Sequence, residues 1–418
     1  MSPGPWRLIA IMIGAALLAL GSIGCTAPTD PVIDVDPAAA RADQPVAIRV
    51  TGLRAGGEVR LAVRSTDADR LTWESSATYT ADRDGIVDPA GQAPTAGTYT
   101  DLDPMGLLWS LQPVPASTEP VRYAWPAGPA TFTITATVDG RPGVTRDVTR
   151  TLYSGGRERQ TLELDRDGFI GSYRPAAESA ERRPAVLLIG GAEGGLRTTV
   201  VGDALAERGL ATLSVAYFGL PGLPDTLTEI PLETFEPALR WLRRQPGVDP
   251  DRIWTMGVSR GSEPAQLLAV QHPDLVHGVL ATVPSGIVVC GFPDCDRSAW
   301  TLGSKPLPYA PPGNPEPAEQ AAIIPVGRIA GPVLAVCGGA DRLWPSCRHA
   351  ESIMGRLDRA GHTEHRLWSY PEAGHGLGGL LPYTPAVPSD DSRGTSPAAN
   401  QRAEAEVWPQ VIDYLLRH

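Results

Sequence analysis

The stretch Ile253-Trp254-Thr255-Met256-Gly257-Val258-Ser259-Arg260-Gly261 decides how the second half of the chain folds. Its first four residues predict a short buried strand, and Glu263 to Gln271 predicts a helix. Between them lies Gly-x-Ser-x-Gly, and a serine in a tight turn between a strand and a helix is the context of a nucleophile elbow. A side chain at either glycine would collide with the neighbouring strand or helix. A plain glycine-rich turn is the alternative interpretation.

The sequence around this stretch alternates between apolar strands and helices. The other strands are predicted at Ala185–Ile189, Ala211–Val215, Gly278–Val283, Val333–Cys337 and Arg366–Tyr370. The other helices are predicted at Thr199–Arg208, Leu232–Gln245, Cys347–Arg359 and Glu404–Leu416. This alternation predicts a doubly wound, mostly parallel sheet, and with the elbow it predicts an α/β-hydrolase fold. Proline-rich sequence from Lys305 to Pro317 predicts a long excursion, interpreted as a lid.

The first half of the chain has a different pattern. Residues 34–153 contain alternating apolar runs such as Val59–Val63 and Thr131–Val138, separated by turn signals such as Asp84-Gly85. This pattern predicts an all-β, immunoglobulin-like sandwich domain. The segment has no histidine, so acid–base chemistry is expected elsewhere. Ser154-Gly155-Gly156 predicts a hinge, which assigns residues 154–418 to the α/β domain.

The N-terminus predicts export. Arg7 precedes an apolar run from Leu8 to Leu20, which is short for a membrane span and typical of a signal peptide over residues 1–24. Small residues before Cys25 resemble the lipobox of bacterial lipoproteins, so Cys25 is the predicted lipidation site and residues 25–33 a tether. Ordinary secretory cleavage after Gly24 or Ala27 is the alternative.

The four remaining cysteines form an even set. In an exported protein such a set predicts two disulfides, and local pairing of Cys290 with Cys295 and of Cys337 with Cys347 is the favoured connectivity. Sequence alone does not fix that connectivity. Metal binding is the alternative, but no histidines accompany the cysteines at ligand spacing, and we predict no metal and no cofactor. A formal net charge of -11 argues against nucleic acid as a partner.

A nucleophilic serine needs a base that is itself oriented by a third group. In the predicted fold the acid and then the histidine follow the serine along the chain, each after a strand. Asp341 and His375 fall at these places, and the other histidines lie in or beside helices or at the C-terminus. We therefore predict Ser259, Asp341 and His375 as a catalytic triad. A turn or helix-capping aspartate and an exposed loop histidine are the alternatives.

The run Gly190-Gly191-Ala192-Glu193-Gly194-Gly195 follows a predicted strand. It lacks the Lys and Ser/Thr of a phosphate-binding P-loop. We predict that it supplies an oxyanion-hole N–H, from Ala192 with Glu193 as the next candidate, beside the N–H of Arg260. Glycines that only serve close packing are the alternative.

Several stretches together resemble one family, that of the acyl-CoA thioesterases and bile acid-CoA:amino acid N-acyltransferases. The resemblance covers most of residues 34–418 and is carried by Val50–Leu53, Trp73–Ser75, Asp103–Ser110, Leu188–Leu196, Ala216–Phe218, Leu220-Pro221, Gly257–Gly261, Asp341–Ser346 and Tyr370–His375. It implies a β-sandwich fused to an α/β-hydrolase domain that acts on fatty acyl-CoA thioesters. Its triad maps onto Ser259, Asp341 and His375.

The resemblance implies a serine hydrolase that cleaves acyl thioesters through an acyl-enzyme. Members that conjugate amino acids use Cys as the nucleophile, so Ser259 favours hydrolysis. Members mostly act inside cells, whereas this chain has a predicted export signal. An exported carboxylesterase or acyltransferase with a non-CoA substrate is therefore an alternative, and a non-catalytic surface lipoprotein is another. The expected partners are a small acyl thioester or ester and, through the lipid on Cys25, the outer face of the cell membrane.

Overall fold

The structure is a computed structural model that describes Met1 and residues 30–117, 121–138, 141–177, 181–385 and 396–418. The predicted signal peptide after Met1, the predicted lipidation site Cys25 and most of the predicted tether lie outside the described residues. Across the described ranges, no helix combines the length and the apolar character needed to cross a membrane.

The N-terminal half is built from short strands whose residues alternate between buried and exposed, as in β4. One short helix, α1 at Gly106–Trp109, interrupts them before β7. The strands are β1 Val32–Asp36, β2 Ala39–Arg41, β3 Ala47–Thr51, β4 Glu58–Thr66, β5 Thr72–Thr80, β6 Ala96–Gly97, β7 Gln112–Val114, β8 Ala130–Val138 and β9 Arg141–Thr151.

These strands form the expected β-sandwich, but its two sheets are unequal. A two-stranded sheet of β1 and β3 shares a core with a seven-stranded sheet of order β2-β9-β8-β4-β5-β6, in which β7 pairs with β5. The rest of the larger sheet's inner face is covered by Tyr99, Met105, Leu107 and Trp109, which belong to the same core. Side chains of α1 and of the loop before it thus replace the strands that a more even sandwich would place there.

The second half of the chain alternates strands with helices as predicted. The strands are β10 Gln160–Leu162, β11 Ile170–Arg174, β12 Arg183–Ile189, β13 Ala211–Ala216, β14 Ile230–Pro231, β15 Val248–Val258, β16 Gly278–Thr282, β17 Trp300–Leu302, β18 Lys305–Pro306, β19 Val333–Gly338 and β20 His365–Tyr370. The α-helices are α2 Leu164–Asp167, α3 Thr199–Glu207, α4 Glu236–Leu242, α5 Ser262–Gln271, α6 Ser346–Arg359 and α7 Pro397–Arg417. Short 3-10 helices lie at Leu232–Phe235, Ser259–Gly261, Gln320–Ala322, Val326–Arg328 and His375–Gly379.

Eight of these strands form one sheet of order β10-β11-β13-β12-β15-β16-β19-β20. The pairs from β13 to β20 are parallel, and β10 and β11 add an antiparallel edge. Successive residues of β12 alternate between two cores: Leu187 faces the core on one side of the sheet and Leu188 faces the other. This is the doubly wound sheet of an α/β-hydrolase fold.

The excursion predicted at Lys305–Pro317 is part of a longer segment in the structure. Residues 283–332, which we call the insertion, connect β16 to β19 and contain β17 and β18. A small core of Ile287, Val289, Cys290, Ala310 and Ala322 holds the insertion together. The apolar residues of this core are spread between the prolines, which explains why the sequence pattern located only the central part.

Two disulfides join Cys290 to Cys295 and Cys337 to Cys347, the local pairing favoured by the sequence. The first closes a loop within the insertion. The second ties the end of β19 to the start of α6. Both therefore lie in segments that follow the carboxyl edge of the large sheet.

The two halves of the chain are joined through a buried carboxylate. Asp43, in the turn after β2, accepts hydrogen bonds from Arg208 Nη1 at 2.7 Å and from Trp408 Nε1 at 2.8 Å. Its side chain is only 3% exposed. Arg41 Nε also donates to it, at 3.1 Å. A charge buried at this point needs such partners, because an unpaired carboxylate away from water is strongly unfavourable.

Candidate active site

The turn after β15 has the geometry of a nucleophile elbow. Ser259 has a φ of +55°, a left-handed backbone conformation that non-glycine residues rarely adopt. A Cβ added to Gly257 would overlap the backbone of Gly261, and one added to Gly261 would overlap the carbonyls that end β12. Both glycines are therefore required for the turn, and Ser259 lies at the carboxyl edge of the sheet.

Three side chains that are distant in sequence meet at this edge. His375 Nε2 lies 2.9 Å from Ser259 Oγ, and His375 Nδ1 lies 2.8 Å from Asp341 Oδ2. A carboxylate only accepts, so Nδ1 carries the ring hydrogen and Nε2 accepts from the serine hydroxyl. Asp341 is 0% exposed at its side chain and His375 is 12% exposed. The structure thus brings together the three residues predicted as a triad.

Asp341 is fixed by its own loop. Its Oδ1 accepts the N–H of Leu343 at 3.0 Å and that of Trp344 at 3.3 Å, which leaves Oδ2 for the imidazole. The Trp344 indole meets the edge of the His375 ring at 5.6 Å between centroids and donates to the Val283 carbonyl at 3.1 Å. The disulfide from β19 to α6 encloses this loop. Sequence reasoning did not identify Trp344, although it lies three residues after Asp341.

The loops that carry Asp341 and His375 pack directly on each other. The N–H of Ala340 donates to the Ala373 carbonyl at 2.9 Å, and the N–H of Gly339 donates to the Tyr370 carbonyl at 2.9 Å. A Cβ on Gly338 would overlap the backbone of Ala373. Gly338 and Gly339, at the end of β19, therefore allow the close approach on which the histidine–aspartate bond depends.

The glycine-rich loop after β12 lies beside Ser259. A Cβ added to Gly191 would lie 3.4 Å from the Cβ of Ser259. Tyr217 is fully buried, and its hydroxyl donates to the Gly190 carbonyl at 2.7 Å, which holds the start of the loop. Within the described part of the chain, the N–H of Ala192 donates to no carbonyl or side chain. Among the described residues, this N–H thus has no protein acceptor, in a loop that lies beside Ser259.

The side chain of Arg260 has a role that the sequence analysis missed. Its Nε donates to Glu263 Oε1 at 2.6 Å, and its Nη2 donates to the Val289 and Cys290 carbonyls at 3.2 and 2.8 Å. Glu263 Oε2 accepts the Val289 N–H and the Trp300 indole N–H, both at 2.9 Å. This fully buried pair fixes the insertion to the residue that follows Ser259.

Burial of the Arg260–Glu263 pair affects the pKa of its carboxyl group. Removal from water raises the pKa of the Glu263 carboxyl, and the adjacent Arg260 guanidinium opposes that rise. The local sequence contained one signal for the pair, because Arg260 and Glu263 stand at i and i+3 at the start of a helix. Their contacts with the insertion, 26 to 37 residues away, could not be inferred from that spacing.

The other histidines that were rejected from the sequence lie away from Ser259 or have other partners. His349 is buried behind Trp344, and its Nδ1 accepts the Gly286 N–H at 3.1 Å. Burial lowers the pKa of His349 to about 4. His277 and His365 lie at the beginnings of β16 and β20, the opposite edge of the sheet. Within the ranges that the structure describes, no cluster of three or more His, Cys, Asp or Glu side chains could hold a metal ion.

Comparison with known proteins assigns the family. Residues 43–163 match the family profile described as Acyl-CoA thioester hydrolase/BAAT N-terminal region, and residues 313–418 match BAAT / Acyl-CoA thioester hydrolase C terminal. Asp341 and His375 lie within the second match. Ser259 lies between the two matches, so its place in the site depends on the geometry given above.

Whole-chain relatives cover both matches and the region between them. Acyl-coenzyme A thioesterase 6 of Mus musculus is 26% identical over 405 residues, 90% of this chain and 94% of the relative. Acyl-coenzyme A amino acid N-acyltransferase 2 of Rattus norvegicus is 26% identical over 416 residues, 91% of this chain and 96% of the relative.

Solved structures are similar to part of the chain. An α/β hydrolase enzyme from a Medee basin deep-sea metagenome library is 15% identical, with a TM-score of 0.43, over 63% of this chain and 100% of that chain. The fold assignment itself follows from the strand order. With both profiles matched in order, the chain is an enzyme of the hydrolase type that belongs to the acyl-CoA thioester hydrolase and bile acid-CoA:amino acid N-acyltransferase family.

Proposed function

We propose that this protein hydrolyses acyl thioesters of the fatty acyl-CoA type, with Ser259 as nucleophile, His375 as general base and Asp341 as the group that orients the base. The observation that carries the proposal is the continuous hydrogen-bonded line from Ser259 Oγ through both ring nitrogens of His375 to Asp341 Oδ2. Such a line is the arrangement that activates a hydroxyl for acyl transfer.

In the first half of the reaction, His375 Nε2 takes the hydroxyl proton while Ser259 Oγ bonds to the thioester carbonyl carbon. The resulting oxyanion accepts hydrogen bonds from the N–H groups of Arg260 and Ala192. When the carbon–sulfur bond breaks, the proton on Nε2 passes to the leaving thiolate. Asp341 stays ionised throughout and stabilises the imidazolium that forms.

In the second half, water replaces the thiol beside His375. Nε2 takes a proton from this water, whose oxygen attacks the acyl carbon, and the proton then returns to Ser259 Oγ as the carboxylic acid leaves. The two backbone donors again hold the oxyanion. Loss of one such donor typically lowers kcat by about 10²- to 10³-fold. We assign these donor roles from the position of the glycine-rich loop beside Ser259.

The expected location is outside the cytoplasm. Two disulfides within the described residues support export, because such bonds persist mainly in oxidising compartments. Anchoring through a lipid on Cys25 is part of the same proposal. Mass spectrometry of the mature N-terminus tests it: a diacylated Cys25 is expected, cleavage at another residue would remove the anchor, and an intact Met1 would contradict export.

Export favours a second candidate, because acyl-CoA is made and used inside cells. The same three side chains would then cleave a carboxylic ester or a thioester with a smaller leaving group. The chemistry is unchanged, since the oxyanion and the acyl-enzyme are common to both substrates. The two candidates differ only in the leaving group that the site accepts.

Substrate assays test both candidates. The mature protein is assayed with acyl-CoA thioesters of several chain lengths, the matching S-acyl N-acetylcysteamines and p-nitrophenyl esters, beside Ser259→Ala. We expect the wild type to prefer thioesters and to react with a fluorophosphonate, and Ser259→Ala to lose about 10⁴-fold or more in kcat with its thermal unfolding midpoint retained. A preference for oxygen esters would select the second candidate. Full activity in Ser259→Ala would overturn both.

A further inference from the structure

Helix α7 contacts the loop that carries His375. The N–H of Gly374, directly before the histidine, donates to Asn400 Oδ1 at 2.8 Å. Asn400 is 6% exposed, so water does not compete for this bond. On the other side of the histidine, Leu377 packs in the same core as Val407 of α7. The base is therefore held from both sides by one helix.

The same helix rests on the β-sandwich. Ala398, in the first turn of α7, packs in the sandwich core. Further along, Trp408 donates to the buried Asp43, and Arg402 pairs with Asp101 at 3.2 Å. These contacts distribute along the helix on both sides of Asn400. A displacement of α7 from the sandwich would therefore move the acceptor of the Gly374 N–H.

The position of Gly374 determines where the imidazole can lie. Both ring bonds of His375 are close to ideal length, and a misplacement of about 1 Å can lower a rate 10²-fold. A buried N–H without an acceptor is unfavourable, so loss of the Asn400 oxygen would turn the Gly374 peptide toward another partner. That rotation would displace the histidine that follows.

We propose that Asn400 is a positioning residue for His375, and that α7 thereby makes the β-sandwich a support of the catalytic base. The role acts through the base alone, since Asn400 contacts neither Ser259 nor the space above it in the hydrogen bonds described. This inference rests on the proposed function, because it needs His375 to act as the base for Ser259.

Three variants test the role: Asn400→Ala, Asn400→Asp and Asp413→Ala. The alanine variant removes the acceptor. The aspartate variant keeps an oxygen at the same place. Asp413, 52% exposed and paired with Arg417, provides the matched control on the same helix. For each variant we would titrate active sites with a fluorophosphonate, follow its inactivation rate, measure kcat and KM, and record thermal unfolding.

For Asn400→Ala we expect kcat per titrated site and the inactivation rate to fall about 10- to 100-fold with KM little changed. Asn400→Asp should recover most of that loss, and Asp413→Ala should match the wild type. If Asn400→Ala only lowers the unfolding midpoint while kcat per site is retained, the role is structural and the inference fails. A wild type that never reacts with the fluorophosphonate would instead refute the proposed function, so the two failures are distinguishable.

Discussion

Asp103 in the sandwich and Asp341 at the candidate active site use their carboxylates in the same way. In each, Oδ1 accepts the N–H two residues ahead, at Met105 or Leu343, and Oδ2 binds the N–H of an aromatic ring. The ring is the Trp109 indole at 2.9 Å in the sandwich and the His375 imidazole at 2.8 Å in the site.

The difference lies in what the ring offers on its other side. An indole has one nitrogen, a donor only, so the sandwich pair can do no more than fix a side chain. An imidazole has a second nitrogen that accepts, and here it faces the Ser259 hydroxyl. An oriented carboxylate can therefore hold either kind of ring in place. Only the imidazole, with its second nitrogen, can also accept a proton from a neighbouring hydroxyl.

The largest expected effect separates the two aspartates. Asp341→Asn should lower kcat about 10⁴-fold, because an amide can donate to Nδ1 and favour the wrong tautomer of His375. Asp103→Asn should leave kcat unchanged and lower the free energy of unfolding by about 1–2 kcal/mol through the weakened Trp109 bond. Steady-state kinetics and urea unfolding of both variants measure this contrast. Equal losses of activity would break the comparison.

A smaller effect is expected at Glu263, a third carboxylate that holds a ring, the Trp300 indole. It also neutralises Arg260, so Glu263→Gln leaves a buried guanidinium without its counter-charge. We expect the free energy of unfolding to fall by about 3–5 kcal/mol. Glu236→Gln breaks the more exposed pair with Arg240 and should cost about 0.3–0.5 kcal/mol. Urea unfolding of the two variants and the wild type measures these losses of unfolding free energy. If Glu263→Gln lost as little as Glu236→Gln, Arg260 would need no counter-charge.

The smallest expected effect concerns His349, whose ring is held through an accepting nitrogen and not through a donating one. Its Nδ1 accepts from a backbone N–H, and burial lowers its pKa to about 4. The unfolded chain gains a proton near pH 6.5 while the folded chain does not. Titration of His349 therefore does not lower the free energy of unfolding above about pH 6.5. As the pH falls from about 6.5 toward 4, the free energy of unfolding decreases, by about 2–3 kcal/mol at about pH 4.5.

His349→Asn keeps an acceptor for the Gly286 N–H and removes the titration. Its unfolding free energy should thus change less between about pH 7 and about pH 4.5 than that of the wild type. Urea unfolding at the two pH values measures the difference. A wild-type slope identical to that of the variant would mean that the buried ring takes up its proton without unfolding.

The sequence predicted the parts of the site that obey local rules. Gly257 and Gly261 flank a serine between a strand and a helix, and Asp341 and His375 each follow a strand that ends at the same edge. Parallel topology then brings these residues together without any knowledge of side-chain contacts. The fold class also follows from local patterns: apolar and polar residues alternate along the strands of the first half, and strands alternate with helices in the second half.

The sequence did not reveal contacts made across the topology. Glu263 and Trp300, or Asn400 and Gly374, are 26 to 37 residues apart and follow no periodic rule. Helix α7 begins at Pro397, seven residues before the predicted start, because its first two turns, capped by Ser396, carry alanine and amide side chains instead of an apolar stripe. Those turns contact the histidine loop, so the missed boundary and the missed residue have one cause.

The ring closed by Cys337 and Cys347 has a practical consequence for anyone preparing this enzyme. Asp341 lies inside it, so reduction of this cysteine pair would remove one of the constraints on the loop that holds the carboxylate against His375. Recombinant protein from a reducing cytoplasm would contain molecules in which this disulfide has not formed. We expect its specific activity to rise on gentle oxidation, and we recommend periplasmic expression or a thiol count before any turnover number is compared between laboratories.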